Sequence, residues 1–157
     1  MSVTKVRNYL KQYGLDSKVR EFETSSATVQ LAAEAAGVIP ARIAKSISFM
    51  INDGAVLIVT AGDTKIDNHK FKETFGTKAK MLSPEEVIIY TGYEIGGVCP
   101  FDNPVNKLKV YLDESMKRFE TVLPAAGSDN SCVELTLEEL EKTSKFISWI
   151  DVCKIME

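Results

Sequence analysis

Two apolar, partly β-branched runs, Ser46 to Ile51 and Ala55 to Thr60, are separated only by Asn52-Asp53-Gly54. Asn, Asp and Gly all tolerate the backbone of tight turns, so the three residues read as the link of an antiparallel hairpin. Runs this apolar read as central strands. A hairpin at the centre rules out a purely parallel, doubly wound sheet, and any sheet built around it must be antiparallel or mixed.

Helical signals surround that hairpin. Val3, Val6 and Leu10 recur at helical spacing ahead of Gly14, giving a helix over 2–13, and Thr28 to Ala36 reads as a second helix stopped by Gly37. Pro40 opens a short turn, and Asp67 caps a helix running to Phe75 before Gly76. Ser83-Pro84-Glu85-Glu86 and Thr136-Leu137-Glu138-Glu139 are both capping-box starts. Further strands read at Lys18 to Phe22, Lys107 to Leu112, Thr121 to Leu123, Cys132 to Leu135 and Ser148 to Val152, with Asp113 capping a short helix to Phe119. The class is α+β, a mixed, curved, barrel-like β-sheet surrounded by short helices.

At 157 residues, with no repeat or low-complexity break, the chain reads as a single domain, 1–157. The formal charge of −3 excludes a protein that coats nucleic acid nonspecifically, because that mode needs a surplus of cations to displace counterions. A local basic patch remains open, with Lys65, Lys70, Lys72, Lys78 and Lys80 as its candidates and a solvated helix face as the alternative. Three cysteines without a C-x-x-C pair, and one histidine, favour a reducing, cytoplasmic setting and no metal site. The longest apolar run, Ala55 to Val59, falls far short of the roughly 20 residues that cross a bilayer, so neither export nor a membrane span is expected. No G-x-S-x-G elbow, Walker sequence or G-x-G-x-x-G fingerprint occurs.

Chemistry concentrates in four places. Gly96-Gly97-Val98-Cys99-Pro100 can present backbone N–H and C=O groups to a ligand, or can be a plain bend between helix and strand. Lys45 enters the hairpin at the rim of a core, where it can hold a phosphate or carboxylate, or can snorkel to water. Asp63, after the second hairpin strand, can orient a water, pair with a lysine or bond its own turn. The small-residue loop Ala125 to Ser131, with Gly127 and Ser128, can line a pocket or simply connect strands. Cys99 with His69 would make a thiol nucleophile and base, but nothing in the sequence places them together, and a structural cysteine is the simpler reading.

Taken in order, Phe22-Glu23-Thr24 through Thr28 to Val38, Ile43-Ala44-Lys45-Ser46, Thr60-Ala61-Gly62-Asp63, Thr91-Gly92-Tyr93-Glu94-Ile95-Gly96-Gly97-Val98-Cys99-Pro100-Phe101 and Ala126-Gly127-Ser128 resemble the YbaK-type aminoacyl-tRNA editing family, which includes the editing insertion of prolyl-tRNA synthetases. The resemblance covers nearly the whole chain. It implies a trans-acting deacylase that hydrolyses the ester of a mischarged aminoacyl-tRNA without metal or other cofactor. Its partners would be the acceptor end of a charged tRNA and a synthetase, with no DNA and no membrane. It also implies that Lys45 is the catalytic residue near the terminal adenosine, and that Gly96, Gly97, Val98, Cys99, Pro100, Asp63, Gly127 and Ser128 bind substrate. Pro100-Phe101-Asp102 departs from the family's Pro-x-Gly, and Ala125-Ala126 replaces polar pocket residues. Alanyl, cysteinyl and seryl esters therefore stay open, as does a noncatalytic domain that binds an aminoacyl group, a nucleotide or a synthetase.

Overall fold

The computed structural model describes residues 2–52 and 54–156, so Asp53 of the expected turn lies outside the described residues. Strands β2 (Ile43–Ile51) and β3 (Gly54–Ala61) pair antiparallel in continuous register from Ala44 opposite Ala61 to Ile51 opposite Gly54. The hairpin is the centre of the molecule's main sheet. With β5 (Leu108–Asp113), β6 (Thr121–Pro124), β8 (Leu135–Thr136) and β9 (Trp149–Ile150) the order is β8-β6-β2-β3-β5-β9, curled as a half-barrel. The contacts of β2 with β6, β3 with β5 and β5 with β9 are parallel, so the sheet is mixed and the α+β reading holds.

Alternation along the hairpin separates two cores. Ala44, Leu57, Val59 and Ala61 face Val3, Val6 and Leu10 of α1 (Ser2–Lys11), together with Val110 and Leu112. Phe49, Val56 and Ile58 face the other way, against Phe71 of α3 (Asn68–Phe75) and Val152. The helix caps act as their residues dictate. Ser83 and Thr136 close capping boxes with Glu86 and Glu139 at the starts of α4 (Pro84–Thr91) and α5 (Leu137–Ser144). Thr28 caps α2 (Val29–Ala36), which ends at Gly37.

Some boundaries differ from the sequence reading. The opening helix stops at Lys11, and the stretch read as one strand over 132–135 is two, β7 (Ser131–Val133), paired with β1 (Val19–Glu21), and β8. Glu134 lies between them and bonds Thr121 and Arg42, so the chain changes partners at a polar residue. The closing strand read over 148–152 shrinks to β9, and a further strand not read from the sequence, β10 (Cys153–Ile155), follows it. β10 pairs with β4 (Thr64–Ile66), a strand too short and polar to show a period-two signal in sequence.

Candidate functional site

A gap in strand pairing creates the site. β6 reaches β2 only at Ile43 and Ala44, opposite Leu123 and Pro124. Further along the same strand, Phe49 bridges Met81, and Leu82 donates to the Ser48 carbonyl at 3.4 Å. Between those two contacts Lys45, Ser46 and Ile47 border a cavity of about 290 Å³, whose other walls are the start of α2, the start of α4 and the loop carrying Gly96 and Val98.

Lys45 stands opposite Thr60 in the hairpin, and its ammonium donates to the Thr64 carbonyl. Burial holds its pKa below the usual lysine value, while Cys153 and Asp63 oppose that fall. Two residues bordering the same cavity, Ser26 and Ser46, have buried hydroxyls with no hydrogen-bond partner among the described residues. A buried hydroxyl without a partner carries a desolvation cost of about 1–3 kcal/mol, which a polar ligand group would relieve. Sequence reasoning passed over both. Ser46 stands in the Ile43-Ala44-Lys45-Ser46 stretch without a role assigned to it, and Ser26 lies in the segment just ahead of α2, outside any motif.

The glycine loop divides between two environments. Gly96 and Val98 line the small cavity, and Gly96 holds φ at 97°, open to few other residues. Gly97 lies behind that wall, where an added Cβ would be 2.6 Å from the Gly127 carbonyl oxygen. Gly127 is therefore the loop's backing rather than part of the lining. Cys99 is fully buried, and burial pushes its thiol up to about 12. Pro100 and Asp102 face a different cavity of about 840 Å³ on the far side of the loop. Asp102, the departure from the family loop, is not in the wall of the Lys45 cavity.

The remaining expected residues are set back. Asp63 accepts two hydrogen bonds from the Arg118 guanidinium at 2.6 and 2.9 Å, and that pairing holds its carboxyl below the usual range. Ser128 does not line the cavity but stands next to Ser131, which does and whose hydroxyl is 2.7 Å from that of Ser128. His69 is exposed on α3, 2.9 Å from Glu73, and the structure does not bring it together with buried Cys99. Lys65, Lys72, Lys78 and Lys80 are exposed, whereas Lys70 is tied to Asp151 and the Cys153 carbonyl. Among the described residues no three His, Cys, Asp or Glu side chains group as metal ligands do, and no helix is long and apolar enough to cross a membrane.

Comparison with known proteins gives a consistent picture. Residues 23–143 match the family model described as an aminoacyl-tRNA editing domain. The uncharacterized protein YwhH of Bacillus subtilis (strain 168) is 56% identical over 158 residues, covering 100% of each chain. A proline–tRNA ligase of Halalkalibacterium halodurans is 30% identical over 104 residues, 66% of this chain but 18% of the ligase. A solved structure described as a candidate trans-editing enzyme for prolyl tRNA synthetase superposes with a TM-score of 0.87 at 30% identity, covering 98% of this chain and 97% of its own.

Proposed function

This chain belongs to the aminoacyl-tRNA editing domain family, and on that premise we propose that it is a trans-acting deacylase that hydrolyses the ester of mischarged aminoacyl-tRNA. The observation that carries the reading is the cavity at the gap in β2, whose lining brings together Lys45, Gly96, Val98, Ser26 and Ser46.

In such a hydrolysis, water attacks the ester carbonyl carbon and the carbonyl oxygen gains negative charge. The tetrahedral intermediate then expels the terminal ribose oxygen, which takes a proton, and the free amino acid leaves. Lys45 supplies a cation held in place by Thr64, so its charge is already oriented when the oxyanion forms. The loop at Gly96 and Val98 supplies backbone donors at the same wall, and the serine hydroxyls orient the aminoacyl group. Water activation falls to groups of the substrate, and the reading assigns no step to a metal. The cavity of about 290 Å³ suits a small aminoacyl group.

A deacylation panel with noncognate aminoacyl-tRNAs, alanyl, cysteinyl and seryl included, tests the reading. Release of amino acid from at least one member is expected, with Lys45→Ala slower by about 10²–10³-fold, the usual loss of one oxyanion-stabilising group. Full activity in Lys45→Ala would remove that residue from the site. Saturable tRNA binding without turnover across the panel would make the chain a noncatalytic binding domain instead.

A further inference from the structure

The cavity of about 840 Å³ on the far side of the glycine loop has no part in the proposed hydrolysis. Among the described residues three non-glycine positions have positive φ: Asp102 at 53°, Asn106 at 63° and Lys145 at 52°. All three line this cavity. Left-handed backbone is costly for residues with a Cβ, and such residues gather at ligand sites more than elsewhere.

A second, independent observation points to a ligand. Ser144, the last residue of α5, borders the same cavity at 3% exposure, and its hydroxyl has no hydrogen-bond partner among the described residues. A hydroxyl kept from water without a partner is a cost that a bound polar group would remove.

Charge narrows the class of ligand. Lys107, Lys109 and Lys145 are exposed at the rim, against one lining carboxylate among the described residues, that of Asp102, although the whole chain is net acidic. The excess of cations favours an anion. Tyr90 offers a half-buried aromatic ring on the same wall, and the volume lies in the range of sites for organic ligands rather than for a bare ion. We propose that this cavity is a second binding site, for a nucleoside phosphate: the lysines take the phosphate, Tyr90 stacks on the base, and the Ser144 hydroxyl bonds a polar atom of the sugar or base. The nucleoside phosphate is either free or one nucleotide of a bound RNA.

Amide-shift titrations of the whole chain with AMP, with inorganic phosphate and with a short RNA hairpin test the assignment. AMP is expected to saturate, moving amides of 102–109 and 144–147, in the wild type and equally in Lys45→Ala. Lys107→Glu with Lys109→Glu is expected to weaken it by about tenfold or more through reversed charge. Ser144→Ala is expected to weaken it by about fivefold, the worth of one neutral hydrogen bond, with the remaining spectrum unchanged. Phosphate alone is expected to bind much more weakly. Tighter binding of the hairpin than of AMP at the same amides identifies the source as RNA, and the reverse identifies a free nucleotide. Absence of saturation by AMP and RNA at millimolar concentration overturns the proposal. So do shifts confined to 43–48 and 95–98 that vanish in Lys45→Ala, because they would place the nucleotide in the deacylation site. That last result would leave the proposed function standing, so the two readings fail separately.

Discussion

Lys45 combines partial burial with a carbonyl partner, and the two act on different properties. Burial lowers its pKa, while Thr64 limits where the ammonium can point. If the cation stabilises the oxyanion, deacylation must fall as pH rises through the Lys45 pKa. Because that pKa is lowered, the alkaline limb is expected below the ordinary lysine value of about 10.4. Lys45→Arg, whose guanidinium stays charged, should remove the limb even if it is slower overall. A limb unchanged in Lys45→Arg would assign the titration to another group. Cys99 makes the opposite case. Burial pushes its thiol up to about 12, so near neutral pH it is protonated and a poor nucleophile. Cys99→Ala is therefore expected to deacylate within about twofold of wild type in single-turnover assays, since what is lost is packing and the thiol's weak hydrogen bonding to Tyr93 and the loop backbone. Inactivity in a folded Cys99→Ala protein would restore the thiol-hydrolase reading.

At the scale of elements, the glycine loop is held from behind by the loop of Gly127 and Ser128. An alanine at 97 would place Cβ 2.6 Å from the Gly127 carbonyl oxygen and 2.8 Å from the Ser128 nitrogen, both backbone atoms with little freedom to give way. Gly97→Ala is expected to lower stability by about 1–3 kcal/mol, measured by urea unfolding, and to slow deacylation as Gly96 and Val98 shift. An unchanged urea midpoint would mean that the two loops can part freely. The capping boxes and the hairpin were legible in the sequence because each signal lies within a few residues. Thr136 needs only Glu139 to cap α5, and the short link between the two apolar runs places Ile51 opposite Gly54 and so sets the register of β2 on β3. The Lys18 to Phe22 strand could be seen, but not its partner, since β7 lies more than a hundred residues away.

For the molecule as a whole, a charge of −3 confines any tRNA contact to a local patch. Lys65, Lys72, Lys78 and Lys80 remain exposed, and Lys70 is committed to Asp151 and the Cys153 carbonyl. Deacylation kcat/KM is expected to fall with salt on a logarithmic plot with a slope no steeper than about −4, because each neutralised phosphate contributes about −0.7 to −0.9. A steeper slope would require a wider cationic face than these lysines provide. A flat plot would mean that the acceptor end is held without them.

The sequence by itself determined the hairpin, the capped helices and the mixed sheet class. These rest on local patterns, which a linear reading contains. Tertiary structure decided which candidates share a cavity. Lys45, Gly96 and Val98 meet because β6 leaves β2 after Ala44, whereas Pro100 faces the opposite cavity and Asp63 is taken by Arg118. It also left the Ser26, Ser46 and Ser144 hydroxyls without partners among the described residues, which no spacing could reveal. The physical reason is common to all of them: a side chain's hydrogen-bond partners and its exposure to water depend on segments distant in sequence, and folding alone brings those segments together.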